Sequence, residues 1–479
     1  MNFRLTFRIQ GGLLLFLAGM LLVPLPFSFW YGDGAWPWFI LTATLAAAIG
    51  LIFLRIFSTG EELKIRDGFG VVTFAWILFA AFGALPFLLT GAIGSPIKAY
   101  FESMSGFTTT GSTVITDLNV VQESVLLWRA LTQWLGGMGI IVLSLAILPI
   151  LGVGGMQLFE AEVPGPTTDR LRPRIQDTAK LLWSVYFLIT AAEVSALMLG
   201  GVSFYEAVCH AFTTMATGGF STRNGSIGEL GGSYVQVVVT FFMFLAGVNF
   251  SLHYKALRGK VGSYFRSEEF RFYLGVLTAS ILVVFIFNLG LYKDSSTNLR
   301  DSAFQVVSLM TTTGYGTADY ELWPVLAQYI LVGLMFLGGC AGSTGGGMKN
   351  VRVLLLLKHS LVQLFRLIHP RRVRLLKIDD KTVSDNVIQS ILGFFALYIG
   401  IFVFASLGMA ALGVDLVTAG ASVIACLSNI GPGLGQVGPT DNFAHLPEAG
   451  HVLLSFCMLV GRLEVFTVLV LVFPSFWRK

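Results

Sequence analysis

The sequence predicts an all-α polytopic membrane protein. Its expected plan is four repeats of span, short helix, polar loop and span, with two further spans ahead of the first repeat. Three observations carry this. The 479 residues are 55% hydrophobic and only 12% charged, with a mean hydropathy of +0.76, where soluble domains carry about 25% charged residues. Apolar runs of about 20 residues, long enough to cross a bilayer core, recur from end to end. A threonine- and glycine-bearing loop also recurs about every hundred residues.

The apolar runs predict ten spans, near 9–30, 37–57, 70–92, 123–150, 178–200, 233–254, 272–292, 323–357, 388–412 and 447–475. The first has a basic start but is too long for a secretory signal, and no small-residue cleavage site follows it. It reads as an uncleaved helix. Placing the N-terminus in the cytoplasm and alternating sides puts most basic residues inside. Those are Arg4, Arg8, Arg55, Lys64, Arg66, Arg170, Arg172, Arg174, Lys180, Lys255, Arg258, Lys260, Arg266, Arg271, the set from Lys349 to Lys381, Arg478 and Lys479. Only Lys98, Arg129, Arg223, Lys293, Arg300 and Arg462 fall outside or within the membrane. The positive-inside rule favours this orientation, with both termini cytoplasmic.

Four stretches then align: "YFESMSGFTTTGSTVITD", "FYEAVCHAFTTMATGGFSTRN", "QVVSLMTTTGYGTADYELW" and "GVDLVTAGASVIACLSNIGPGLG". Their anchor glycines, Gly111, Gly219, Gly314 and Gly431, stand 108, 95 and 117 residues apart. Such a period marks internal repeats. Two residues before each anchor stand Thr109, Thr217, Thr312 and Asn429. Six before stand Ser105, Thr213, Ser308 and Ala425, and twelve before stand Ala99, Ala207, Ser302 and Ala419. Each preceding segment, about twelve residues long, is too short to span and predicts a re-entrant helix. The units divide the chain into two extra spans at 1–66 and repeats at 67–165, 166–268, 269–378 and 379–479.

Irregular backbone at membrane depth is tolerated where it lines a water-filled path. Four short helices would each aim the negative end of a dipole at a common axis, which favours a cation. Rings of backbone carbonyls that replace a hydration shell are the basis of potassium filters, and "TTTGYGT" (Thr311–Thr317) is the unit closest to that pattern. A lone TTTG is usually a turn; four at matching positions point to an ion filter. Its expected residues are Thr109, Thr110 and Gly111; Thr217, Gly218 and Gly219; Thr312, Thr313 and Gly314; and Asn429, Ile430 and Gly431. The acids beside the loops, Asp117, Asp319, Glu321 and Asp441, fit either a solvated rim or a cation-attracting vestibule.

The run "GGCAGSTGGGMKNVR" breaks the eighth span. It is no phosphate-binding loop: Met348 stands where a Walker A lysine is needed, and no strand precedes it. Its glycines fit either close helix packing or a local unwinding of the helix. Arg462, within the last span, is a functional candidate by default, with a structural ion pair as the alternative. Glu464, two residues on, points to another helix face. Cys209, Cys340, Cys426 and Cys457 form no CxxC pair, and the six histidines have no metal-ligand spacing, so neither a disulfide framework nor a zinc enzyme is implied. No convergent acid, base or nucleophile predicts an enzyme, and a scaffold would not need four such loops.

The sequence resembles the TrkH type of the Trk/Ktr/HKT superfamily of potassium transporters over essentially its whole length. The resemblance rests on "QWLGGMGIIVLSLAILPILGVGGMQLFEAEVPGP", "GGFST", "FLGGCAGSTGGGMK", "NIGPGLG" and "GRLEVFTVLVLVFPSFWR". It implies four M1–P–M2 pore-loop repeats around a pseudo-fourfold axis, with two added N-terminal helices. It further implies potassium uptake across a bacterial inner membrane, a homodimer, and a cytosolic ring of TrkA-type regulatory subunits that binds the nucleotide. No covalent cofactor and no nucleic acid are expected; the transported ion is K+. The resemblance makes Gly338, Gly339, Gly342, Ser343, Thr344, Gly345, Gly346 and Gly347, with Arg462, an intramembrane gate beneath the filter. In some superfamily members the first-repeat glycine is serine and sodium is favoured; glycine at all four anchors favours potassium. A sodium- or proton-coupled symporter and a less selective monovalent cation channel stay open as alternatives.

Overall fold

A computed structural model describes residues 2–57, 65–146, 171–370 and 375–477. Within them the chain is almost wholly helical; the one sheet is a two-residue hairpin pairing Lys377–Ile378 with Lys381–Thr382. The first helix, Phe3–Met20, packs against Trp36–Ile56. Gly11 and Gly50 make this crossing tight, since a Cβ on either would come within 2.8 Å of the other's carbonyl oxygen. Small residues at crossings let apolar helices approach when no water drives them together.

Among the described residues, six helices are long and apolar enough to cross a membrane, or eight if each sharply bent pair counts as one. The sequence pattern predicted ten continuous spans, and three of these need correction. The span expected at 233–254 is Ser233–Ala246 followed by Phe250–Leu257, bent by 103°. Asn249 makes the bend by capping the second helix, its Oδ1 accepting from the Ser251 N–H at 2.8 Å. The span expected at 447–475 bends by 112° between Arg462 and Phe466, where Glu464 and Val465 take positive φ. The run at 323–357 stops at Phe336 and restarts at Asn350. The fourth expected span is the 24-residue helix Glu123–Ala146; its expected end at 150 and the first repeat boundary at 165 lie outside the described residues.

Four short helices hold the centre: Pro96–Phe107, Phe204–Met215, Ser295–Met310 and Leu416–Leu427. Three start on a side-chain cap, from Ser203, Asp294 and Asp415, and the first starts on Pro96. The third runs to 16 residues rather than the expected dozen because Asp294 caps it early. Each ends four residues before its anchor glycine. The main buried cluster wraps these helices, with Phe101, Phe107, Trp128, Phe304 and Met310 among its members. The four cysteines are buried and unpaired, as expected of small apolar packing residues.

Candidate functional site

The four loops share one backbone path. The residue two before each anchor has positive φ: Thr109 at 51°, Thr217 at 54°, Thr312 at 62° and Asn429 at 56°. The anchors follow at 89°, 76°, 80° and 103° for Gly111, Gly219, Gly314 and Gly431. Positive φ is sterically costly for a non-glycine residue, and its recurrence at four matched positions marks an imposed geometry. One hydrogen bond recurs as well. The N–H just before each anchor donates to the carbonyl six before it: Thr110 to Ser105 at 2.8 Å, Gly218 to Thr213 at 2.8 Å, Thr313 to Ser308 at 2.9 Å and Ile430 to Ala425 at 2.9 Å.

The loops close on one another in cyclic order. A Cβ on Gly111 would overlap the carbonyl oxygen of Gly218, one on Gly219 that of Thr313, and one on Gly314 that of Ile430. A Cβ on Gly431 would lie 2.9 Å from the carbonyl oxygen of Thr110, completing the circle. Only glycine allows this approach. The twelve residues expected to form the filter are thus brought to one place, and Thr109, Thr110, Thr217, Thr312, Thr313, Asn429 and Ile430 are fully buried. Threonines Thr110 and Thr313 also hydrogen-bond Thr108 and Thr311 across 2.8 Å. The fourth wall differs, because Asn429 donates to Thr110 Oγ1 at 2.9 Å and to the Met458 carbonyl at 3.0 Å.

Three of the four acids beside the loops, Asp117, Asp319 and Glu321, hold loop backbone by hydrogen bonds. Asp117 accepts from the Asn119 N–H at 3.0 Å and from Asn224 at 2.9 Å. Those hydrogen bonds, the Asn224 one foremost, hold its carboxyl below the usual range. Asp319 caps the turn at Tyr320–Leu322, and Glu321 accepts from the Gly435 N–H at 2.6 Å.

On the other side of the ring lies the glycine-rich segment. Thr344 Oγ1 donates to the Met215 carbonyl, the last residue of the second short helix, at 2.9 Å, and the Gly346 N–H donates to Thr312 Oγ1 at 2.6 Å. A Cβ on Gly345 would lie 3.0 Å from the Thr311 carbonyl oxygen, and one on Gly346 would overlap that of Ser428. The segment therefore sits against the inner ends of three of the four short helices. Gly338 and Met348 close its neck, the Gly338 N–H donating to the Met348 carbonyl at 2.8 Å. Gly339, Gly342, Ser343 and Gly347 lie inside that neck: Ser343 bonds the Cys340 carbonyl at 2.6 Å, and Gly342 and Gly347 take positive φ.

Arg462 bonds the segment directly. It is 2% exposed, and it donates to the Thr344 carbonyl at 2.8 Å and the Gly136 carbonyl at 3.2 Å. Among the described residues it has no ion pair. Glu464 pairs with Arg352 instead; it does not lie on a helix face, as the sequence pattern implied, but in the break after Arg462 with positive φ. Within the basic set from Lys349, Lys349 and Arg352 are buried in the protein. Lys349 donates to the Gly345 carbonyl, where a charge is tolerated because it meets a dipole of opposite sign. Glu269, which sequence reasoning missed, accepts from Ala341 at 2.7 Å and Val351 at 3.0 Å and so pins both sides of the neck. An acid in the first turn of a span reads as an ordinary helix start, so no sequence signal marked it.

Residues 40–479 match the family described as TrkH, cation transport protein. The chain is 42% identical over 485 residues to the Trk system potassium uptake protein TrkH of Halomonas elongata. It is 42% identical over 487 residues to the protein of the same name from Escherichia coli K12. Both alignments cover 100% of each chain. The crystal structure of the potassium transporter TrkH from Vibrio parahaemolyticus superposes with a TM-score of 0.93 at 38% identity, again over 100% of each chain.

Proposed function

The chain belongs to the TrkH family of cation transport proteins, and from that premise we propose that it takes up potassium ions across a bacterial inner membrane. The observation that carries the reading is the closed circle of anchor glycines and preceding carbonyl oxygens. Carbonyl oxygens so presented can replace the hydration shell of a monovalent cation. The four short helices add the negative ends of their dipoles to the same space. The relatives named above are potassium uptake proteins, which supports potassium as the ion.

The twelve loop residues act as the filter, and the segment from Gly338 to Gly347 acts as a barrier beneath it, held by Arg462. Two cations bound to its carbonyls, Arg462 and Lys349, oppose the passage of a third while the segment stays in place. The chain works as a homodimer, with both termini and the hairpin at 377–382 in the cytoplasm. A TrkA-type ring carries the nucleotide and shifts the segment by binding its two positions unequally. The repeats follow the divisions at 66, 165, 268 and 378. The test is cation flux into proteoliposomes holding the purified protein, with and without the cytosolic ring. Uptake of potassium in preference to sodium, raised by the ring, is expected. Ring-independent flux that does not distinguish the two ions would overturn the reading, and flux that requires a sodium or proton gradient would replace it with a symporter.

A further inference from the structure

The four repeats match residue by residue, so their differences are as legible as their likenesses. Nine positions before the anchor, within the short helix, stand Glu102, His210, Gln305 and Ser422. Two positions after it, on the outer side of the ring, stand Thr113, Ser221, Gly316 and Gly433. In the first repeat the two positions are bonded: Thr113 Oγ1 donates to Glu102 Oε1 at 2.9 Å, and the Val114 N–H donates to Glu102 Oε2 at 2.8 Å. In the second, His210 Nε2 and Ser221 Oγ lie 3.0 Å apart. In the third, Gln305 stays near Gly316, which offers no side chain, and donates instead to the Ala318 carbonyl at 3.0 Å. In the fourth, Ser422 donates to Ala419 within its own helix at 3.1 Å. Hydroxyls thus occur in the two repeats where an ionisable side chain, Glu102 or His210, faces them, and glycines where the matched residue is Gln305 or Ser422.

Arg129 joins the two bonded repeats. Its Nε donates to Glu102 at 2.6 Å and its Nη1 to the Ser221 carbonyl at 2.9 Å. Its guanidinium lies 3.5 Å from the centre of the Phe220 ring, and Phe220 directly follows an anchor. Glu102, Arg129, His210 and Ser221 are buried, Glu102 and His210 completely, and Thr113 is half-buried. The network Thr113–Glu102–Arg129–Ser221–His210 runs continuously behind two adjacent walls and is absent, among the described residues, behind the other two.

We propose that Glu102, Arg129 and His210 are positioning residues that fix the first two walls of the carbonyl ring, and that ion selectivity depends on this one-sided strap. The proposal rests on reading the ring as a filter. The chemistry is simple: discrimination between two bare cations needs oxygens that do not collapse onto the smaller one, and a buried, charge-assisted network resists such collapse. The two walls without it can yield to an entering ion.

The test is the potassium-to-sodium flux ratio of proteoliposomes, taken per unit of monodisperse protein. Glu102→Gln should lower the ratio, but it leaves Arg129 unpaired and could lower folding yield. Thr113→Val and Ser221→Ala remove one hydroxyl each at nearly unchanged shape. Each should lower the ratio about fivefold, the effect of one positioning hydrogen bond. Thr113→Ser restores the hydroxyl and should restore the ratio, and Ser422→Ala should leave it unchanged. A wild-type ratio in Thr113→Val and Ser221→Ala, alongside a lowered ratio in Gly314→Ser, overturns the strap and leaves the filter standing. A wild-type ratio in all three, Gly314→Ser included, overturns the filter reading and the strap with it. An equal fall in Ser422→Ala overturns the asymmetry.

Discussion

The Arg462 guanidinium donates to the Thr344 carbonyl at 2.8 Å, so a buried cation on the last helix pair holds the middle of the glycine-rich segment. The same side chain reaches Gly136 on the second helix of the first repeat. A hydrogen bond from a charged donor contributes about 1.5–3 kcal/mol. Replacing Arg462 by Ala should therefore raise basal potassium flux by about tenfold or more and weaken its dependence on a cytosolic partner. The potassium-to-sodium ratio should hold, because the ring lies above the segment. Lys at this position keeps the charge but loses the fork and should give an intermediate flux. Flux assays on Arg462→Ala that stay low and partner-dependent would return the segment to a packing role.

Much of this was legible in the sequence, because the repeat places the same backbone problem at four positions. Thr109, Thr217, Thr312 and Asn429 could be aligned from spacing alone, and the structure gives all four positive φ. The short helices ended where the anchors implied. What stayed hidden depends on tertiary approach. Lys349 and Arg352 look like solvated charges at the start of a basic stretch, yet the restart of the helix at Asn350 buries both. Glu464 looks like an isolated acid in a span; its partner Arg352 lies 112 residues away in sequence. The sharp bends at Val248 and Glu464 sit in apolar runs, and hydropathy is blind to backbone direction.

The Arg352–Glu464 pair is a case where breaking and replacing should differ. Removing one partner leaves a buried charge uncompensated, at a cost of about 3–5 kcal/mol. Arg352→Met should lower the melting temperature of the detergent-solubilised protein markedly, and Glu464→Gln somewhat less. The double variant Arg352→Met/Glu464→Leu should recover most of the loss, because the charge is then gone from both sides. Differential scanning fluorimetry on the three variants checks this; a double variant as unstable as the single ones would contradict it.

Orientation has its own test. Asn442 lies in the loop that follows the fourth short helix, and the exposed Asp380 lies in the hairpin beside the helix that follows the glycine-rich segment. The four native cysteines are buried, so a new one should label cleanly. An impermeant thiol reagent added outside intact cells should reach Asn442→Cys and miss Asp380→Cys. The opposite pattern would invert the topology drawn from the basic residues.

The central claim is that the circle of glycines and carbonyls chooses the ion. Gly314 has φ at 80°, and any Cβ there overlaps the Ile430 carbonyl, so a side chain must displace the next wall of the ring. The most direct measurement is the potassium-to-sodium flux ratio of the wild type and Gly314→Ser in the same proteoliposomes. The ratio should favour potassium in the wild type and fall at least about tenfold in the variant, as expected when one ring of ligands is forced out of register. An unchanged ratio, in a variant that inserts and conducts, would contradict the claim.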